Sequence, residues 1–185
     1  MSKTVDLSEE SLESLQKQLM HDEHFNSIAL PRLKMINAIR KQLDDQGQLH
    51  WKVKYSPVNR SENSVIISLL DPRKKFHFYY NIPLGLRLQL QLYLGDNTFN
   101  FFEAHPLLIK LGVIDEATYP VQATMNTLPH LVLSKRKDAF ETSLLMADEL
   151  STDAILQSRL YQLLQSVFNK FNAPLQSIIN GKHQL

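Results

Sequence analysis

From Leu86 to Leu94 every second residue is a leucine. Leu86, Leu88, Leu90, Leu92 and Leu94 alternate with Arg87, Gln89, Gln91 and Tyr93. Successive side chains of an extended chain point to opposite faces, so this run predicts a strand with one dry and one wet side. A helix would split the leucines between two opposite sides.

The same alternation precedes it. Leu49, Trp51, Val53 and Tyr55 alternate with His50, Lys52 and Lys54, and Phe76, Phe78, Tyr80 and Ile82 alternate with His77, Tyr79 and Asn81. Val65 to Leu70 is a further apolar run. Turn-formers separate the runs: Ser56 to Asn63, then Asp71-Pro72-Arg73-Lys74, then Pro83-Leu84-Gly85. Short connections between consecutive strands favour antiparallel neighbours, so residues 49–94 read as a four-stranded meander.

Helical spacing brackets the meander. Leu12, Leu15 and Leu19 predict a helix over residues 8–21, with Asp6 and Glu9 at capping-box spacing. Residues 1–7 read as frayed. Pro31 suits a first helical turn, and Leu33, Ile36, Ile39 and Leu43 form a second stripe that Gly47 ends. Residues 98–111 read as helix, with Pro106 a break or second start and Gly112 the stop. Val121 to Leu128, between Pro120 and Pro129, reads as one strand and Leu131 to Leu133 as another. Phe140 to Met146 fits either a hairpin partner or a helix start. From Ser151 onward Ile155, Leu156, Leu160, Leu163, Leu164, Val167, Phe168 and Phe171 define a long C-terminal helix that Pro174 stops.

The expected fold is therefore α+β: two N-terminal helices, a mainly antiparallel sheet built on the meander, helices packed on one face, and a long C-terminal helix. Strands and helices do not alternate, which disfavours a parallel dinucleotide-binding sheet. At 185 residues, residues 1–185 form a single domain on the length prior. The chain has no Cys, which removes disulfides, thiolate metal sites and thiol nucleophiles together. No apolar N-terminal run and no apolar stretch of about 18 residues is present, so a cytoplasmic protein without a membrane partner is expected.

Formal net charge is +1, which argues against a dedicated polyanion binder. The distribution is uneven. Residues 1–30 carry two basic and six acidic side chains, and residues 50–100 carry seven basic and three acidic ones. The acidic start and basic middle are complementary, within one chain or between two.

Motifs for chemistry are scarce. There is no glycine-rich phosphate loop, no G-x-S-x-G and no H-E-x-x-H. His21-Asp22-Glu23-His24 has ligand-type residues but reads as a polar helix end. His50 and His77 fall on the outward register of strands, and His105 and His130 beside prolines read as loop or cap residues. Among carboxylates, Asp71, Asp96, Glu103 and Asp115 are candidates for a nuclease-type metal site, yet Asp71 and Asp96 sit in ordinary turn sequences. Lys135-Arg136-Lys137 reads as a solvated hairpin tip. Leu12, Leu15, Leu19 and Met20 read as packing material, or as a docking helix for another chain.

The outward face of the meander is the most informative surface. It displays His50, Lys52, Lys54, Ile66, Ser68, His77, Tyr79, Asn81, Arg87, Gln89, Gln91 and Tyr93, with Arg73, Lys74 and Lys75 at one edge. Three functions follow, in order of preference. The first is a non-catalytic protein-interaction module, an accessory, adaptor or chaperone-like subunit that uses a sheet face or amphipathic helix, self-association as a homodimer included. The second is a nucleic-acid-associated accessory protein using Lys52, Lys54, Arg73, Lys74, Lys75, Tyr79, Arg87 and Tyr93, since charge meets phosphate and rings stack on bases. The third is a metal-dependent hydrolase. The sequence leans against an enzyme and names no catalytic residue, cofactor or metal ligand.

Overall fold

The computed structural model describes residues 2–43, 48–72, 76–85, 88–115, 117–125, 127–136 and 139–181, with backbone only at Leu88 and Arg136. The chain runs β1 (Lys3–Asp6), α1 (Glu9–Gln18), α2 (Leu30–Leu43), β2 (Leu49–Tyr55), β3 (Ser64–Leu69), β4 (Phe78–Pro83), β5 (Leu88–Leu94), α3 (Thr98–Lys110), β6 (Val121–Thr124), β7 (Thr127–Arg136), α4 (Thr142–Leu145), α5 (Thr152–Gln157) and α6 (Arg159–Ile179). The seven strands form one antiparallel sheet in the order β1-β2-β3-β4-β5-β7-β6. The α+β class, the meander and the long C-terminal helix are all present.

Alternation decides which face is dry. Trp51, Val53 and Tyr55 on β2, Val65 and Ile67 on β3, Phe78, Tyr80 and Ile82 on β4, and Leu90, Leu92 and Leu94 on β5 are all buried. They join one continuous core with Leu33, Ile36 and Ile39 of α2, Phe101 and Leu108 of α3, and Leu160, Leu164, Phe168 and Phe171 of α6. Phe168 fixes the layer contact, with its ring 5.9 Å from Trp51 and 5.1 Å from Tyr80. A π-helical turn at Phe25–Ala29 leads into α2, and Phe25 meets Tyr55 edge-on at 4.9 Å. Asp22 Oδ1 accepts the Phe25 amide, while its Oδ2 accepts the Tyr55 hydroxyl at 3.1 Å.

Several expectations need correction. Residues 3–6 are not frayed: they form edge strand β1, paired from Lys3↔Tyr55 to Asp6↔Lys52. Only Val5 of that strand is even partly buried, so four residues leave no alternation to read. The cap of α1 is Ser8, whose side chain accepts from the Ser11 amide at 3.1 Å, and not Asp6, which is committed to β1. Residues 121–128 split at Met125 into β6 and the start of β7. Phe140 to Met146 takes the helical option as α4.

Neither Pro106 nor Pro174 ends its helix. Each removes one amide donor, but buried residues on both sides hold the helix to the core. These are Phe101, Ala104, Leu107 and Leu108 around the first, and Phe171, Leu175 and Ile178 around the second. Gly112 does end α3, at φ 68°, with the Val113 amide reaching back to the Leu108 carbonyl. His105 is a helical residue of α3 stacked on Phe101 at 5.1 Å, and His130 lies inside β7, so neither is a loop residue. The expected stop at Gly47 lies outside the described residues. No helix among the described residues is long and apolar enough to cross a membrane.

Candidate interaction face

Sheet register turns the polar half of each strand into two continuous rows. One row runs His50↔Ser68↔Tyr79↔Tyr93↔His130↔Gln122 across six strands. The other runs Asp6↔Lys52↔Ile66↔Asn81↔Gln91↔Val132. A register shift beside Leu90 and Gln91 absorbs one extra residue of β7, which keeps His130 and Val132 on the same face as Tyr93 and Gln91.

The first row is a stack of rings. Tyr79 and Tyr93 lie 4.7 Å apart and 4° from parallel. His130 covers the other side of Tyr93 at 4.7 Å and 25°, and His77 leans on Tyr79 at 5.2 Å. Side-chain amides link one strand to another. Asn81 Nδ2 donates to Gln91 Oε1 at 2.8 Å, and Gln89 Nε2 donates to Gln122 Oε1 at 3.0 Å. His130 Nδ1 lies 2.9 Å from the Leu128 carbonyl, which only accepts, so the proton is on Nδ1. That leaves Nε2 to accept from Gln91 Nε2 at 3.3 Å. Burial lowers the His130 pKa, against the Leu128 hydrogen bond. Burial also raises Tyr93 and Tyr79, the latter helped by the neighbouring Tyr93 and Asp96.

Lys54 pairs with Glu62 at 2.9 Å, Asp6 stands opposite Lys52, and His77 Nδ1 contacts Asp96 Oδ1 at 2.6 Å. The acidic N-terminal segment also reaches α2, where Glu9 pairs with Lys41. That contact holds the Glu9 carboxyl below its usual range.

Four of the sequence candidates therefore share one face: Lys52, Lys54, Tyr79 and Tyr93. Arg73, Lys74, Lys75 and Arg87 lie outside the described residues, as does Lys137 of the basic turn. Lys135 is opposite Gln89 on β7. His50 and His77 are kept apart by β3. Asp71 Oδ2 accepts the Phe76 amide at 2.7 Å, an ordinary turn contact. Asp115 accepts from the Ala117 and Thr118 amides, and its hydrogen bonds to Thr118 chiefly lower its pKa. Leu12 and Leu15 are spent in the core, and Met20 is exposed. Among the described residues no three His, Asp or Glu side chains come together as a metal site.

Sequence reasoning missed two features. His130 enters the face only through the bulge. Ser68, His77 and Asp96 meet in a chain of contacts: Ser68 Oγ lies 3.3 Å from His77 Nε2, and His77 Nδ1 lies 2.6 Å from Asp96 Oδ1. Ser68 and His77 already shared outward parity, but their meeting depends on the register Ser68↔Tyr79. No known protein family matches this chain, and neither a curated protein nor a solved structure matches it.

Proposed function

We propose that the protein is an interaction module, an accessory or adaptor subunit whose outer sheet face docks a second copy of the same chain. The observation that carries this reading is the enclosure of Tyr93 between Tyr79 and His130. A platform for nucleobases needs free ring faces, and Tyr93 has neither of its faces free. Rings stacked in this way present edges and hydroxyls, which suit a protein surface.

Self-association suits the chemistry of the two rows. Asn81, Gln91 and Gln122 each donate and accept, so a two-fold axis can lay one row on its copy. The matched pair Lys54–Glu62 spares that part of the interface a net charge that would repel a second copy. A cytoplasmic setting fits a chain with no cysteine.

Molar mass by light-scattering chromatography, at low and high salt and with a random single-stranded oligonucleotide, tests the proposal. A dimer indifferent to salt and oligonucleotide, reduced to monomer by Gln91→Glu, is expected. A monomer under all conditions overturns it. A monomer whose mass rises with oligonucleotide only at low salt replaces it with the nucleic-acid reading.

A further inference from the structure

The contacts among Ser68, His77 and Asp96 have a direction. A carboxylate only accepts hydrogen bonds, so the 2.6 Å contact with Asp96 Oδ1 places the proton of a neutral imidazole on Nδ1. Nε2 is then a lone-pair acceptor, and the only group that can donate across the 3.3 Å gap is the Ser68 hydroxyl. This is the tautomer that a general base needs, held by a third group that orients it. Three elements supply the parts: Ser68 lies in β3, His77 immediately precedes β4, and Asp96 follows β5. The antiparallel order β3-β4-β5 brings the end of β3, the start of β4 and the end of β5 to one end of the sheet.

We propose that Ser68 is a nucleophile activated by His77, with Asp96 as the positioning residue, and that it accepts the acyl group of an activated aryl ester. Ser68 Oγ bonds to the acyl carbon while its proton passes to His77 Nε2. The tetrahedral intermediate collapses, the carbon–oxygen bond to the aryl group breaks, and the leaving phenolate takes the proton from His77. Water then attacks the Ser68 ester, gives its proton to His77, and releases the carboxylic acid as Ser68 recovers its hydrogen. Asp96 stays ionised throughout.

The surroundings set the substrate class. Backbone amides within a sheet are spent on neighbouring strands, so a developing oxyanion depends on side chains. The register places His50 and Tyr79 on either side of Ser68. Neighbouring side chains are a weaker aid than a preorganised backbone oxyanion hole, which favours an ester with a good leaving group. This inference goes beyond the docking proposal and does not rest on it; Ser68 stands on the same face, where a docked second copy would cover it, so labelling is read on the Gln91→Glu monomer as well as on the wild type.

The full-length protein is treated with a fluorophosphonate, analysed by intact mass and peptide mapping, and separately assayed with 4-nitrophenyl acetate. A single adduct on Ser68 is expected, lost in Ser68→Ala. His77→Gln is expected to slow labelling by about 10²-fold or more. Asp96→Asn also slows it, and Asp96→Glu restores it. The side chains of His77 and Asp96 are about half exposed or more, so the variants keep the wild-type circular dichroism spectrum. An adduct on another residue, no adduct, or a labelling rate unchanged in His77→Gln overturns the proposal.

Discussion

Tyr80 of β4 donates its hydroxyl to Asn172 Oδ1 of α6 across 2.6 Å, while its ring is fully buried. The bond joins the centre of the sheet to the long helix over it. Its two ends are unequal, since Tyr80 has no access to water and Asn172 is half-buried. Asn172→Ala therefore strands a buried hydroxyl and is expected to cost about 1–3 kcal/mol, whereas Tyr80→Phe is expected to cost about 1 kcal/mol. Urea unfolding of both variants checks the order, and a larger loss in Tyr80→Phe would refute it.

Burial drives Tyr80 well above its ordinary pKa, and burial with the Asp22 contact raises Tyr55 as well. A raised folded-state pKa gives stability that is complete below the unfolded value and lost as pH climbs past it. The urea midpoint should hold up to about pH 10 and fall above it. Tyr80→Phe should show a shallower alkaline fall; equal slopes would exclude Tyr80 as a contributor.

His130 works in the opposite direction. Burial lowers its pKa, so the stability it contributes is present above the unfolded value and is lost as pH drops below about 6.5. His130→Gln should flatten the dependence of the urea midpoint on pH between about 7.5 and 5. An unchanged slope would mean that His130 is free to protonate in the folded protein.

Pro106 sits inside α3 with its ring on the exposed side. Substitution by alanine restores an amide donor where no packing depends on the ring. Helix propensity favours the change by about 3 kcal/mol, and the freer unfolded chain takes back about 1 kcal/mol. Pro106→Ala should therefore raise stability by about 1–2 kcal/mol, read as a higher melting temperature. A lower one would show that the proline relieves strain in the packed helix.

The meander was legible because each strand repeats the same alternation between one core face and one polar face. Every outward residue read from it that lies among the described side chains stands on the outer face. What escaped has specific causes. β1 is too short to alternate and takes its conformation from Lys52 to Tyr55 beside it. Pro106 and Pro174 obey local propensity less than the buried residues around them. His130 depends on one extra residue in β7. Ser68, His77 and Asp96 lie on different strands or turns, so only pairing brings them into one chain of contacts.

The sheet is not assembled from equally distant parts. β2 pairs with β3, β3 with β4 and β4 with β5, each across a single loop, whereas β1 meets β2 across α1 and α2, and β5 meets β7 only after α3 and β6. Closing a long loop costs entropy before any contact rewards it. The central strands are thus the natural nucleus, and the two flanks dock onto a surface already formed. In pulsed hydrogen exchange, Val65 to Leu94 should gain protection before Val5 and Leu131. A mutation that slows only the docking of β1 would then leave a long-lived species with the Lys52 edge of β2 unpaired, open to the first strand of another chain.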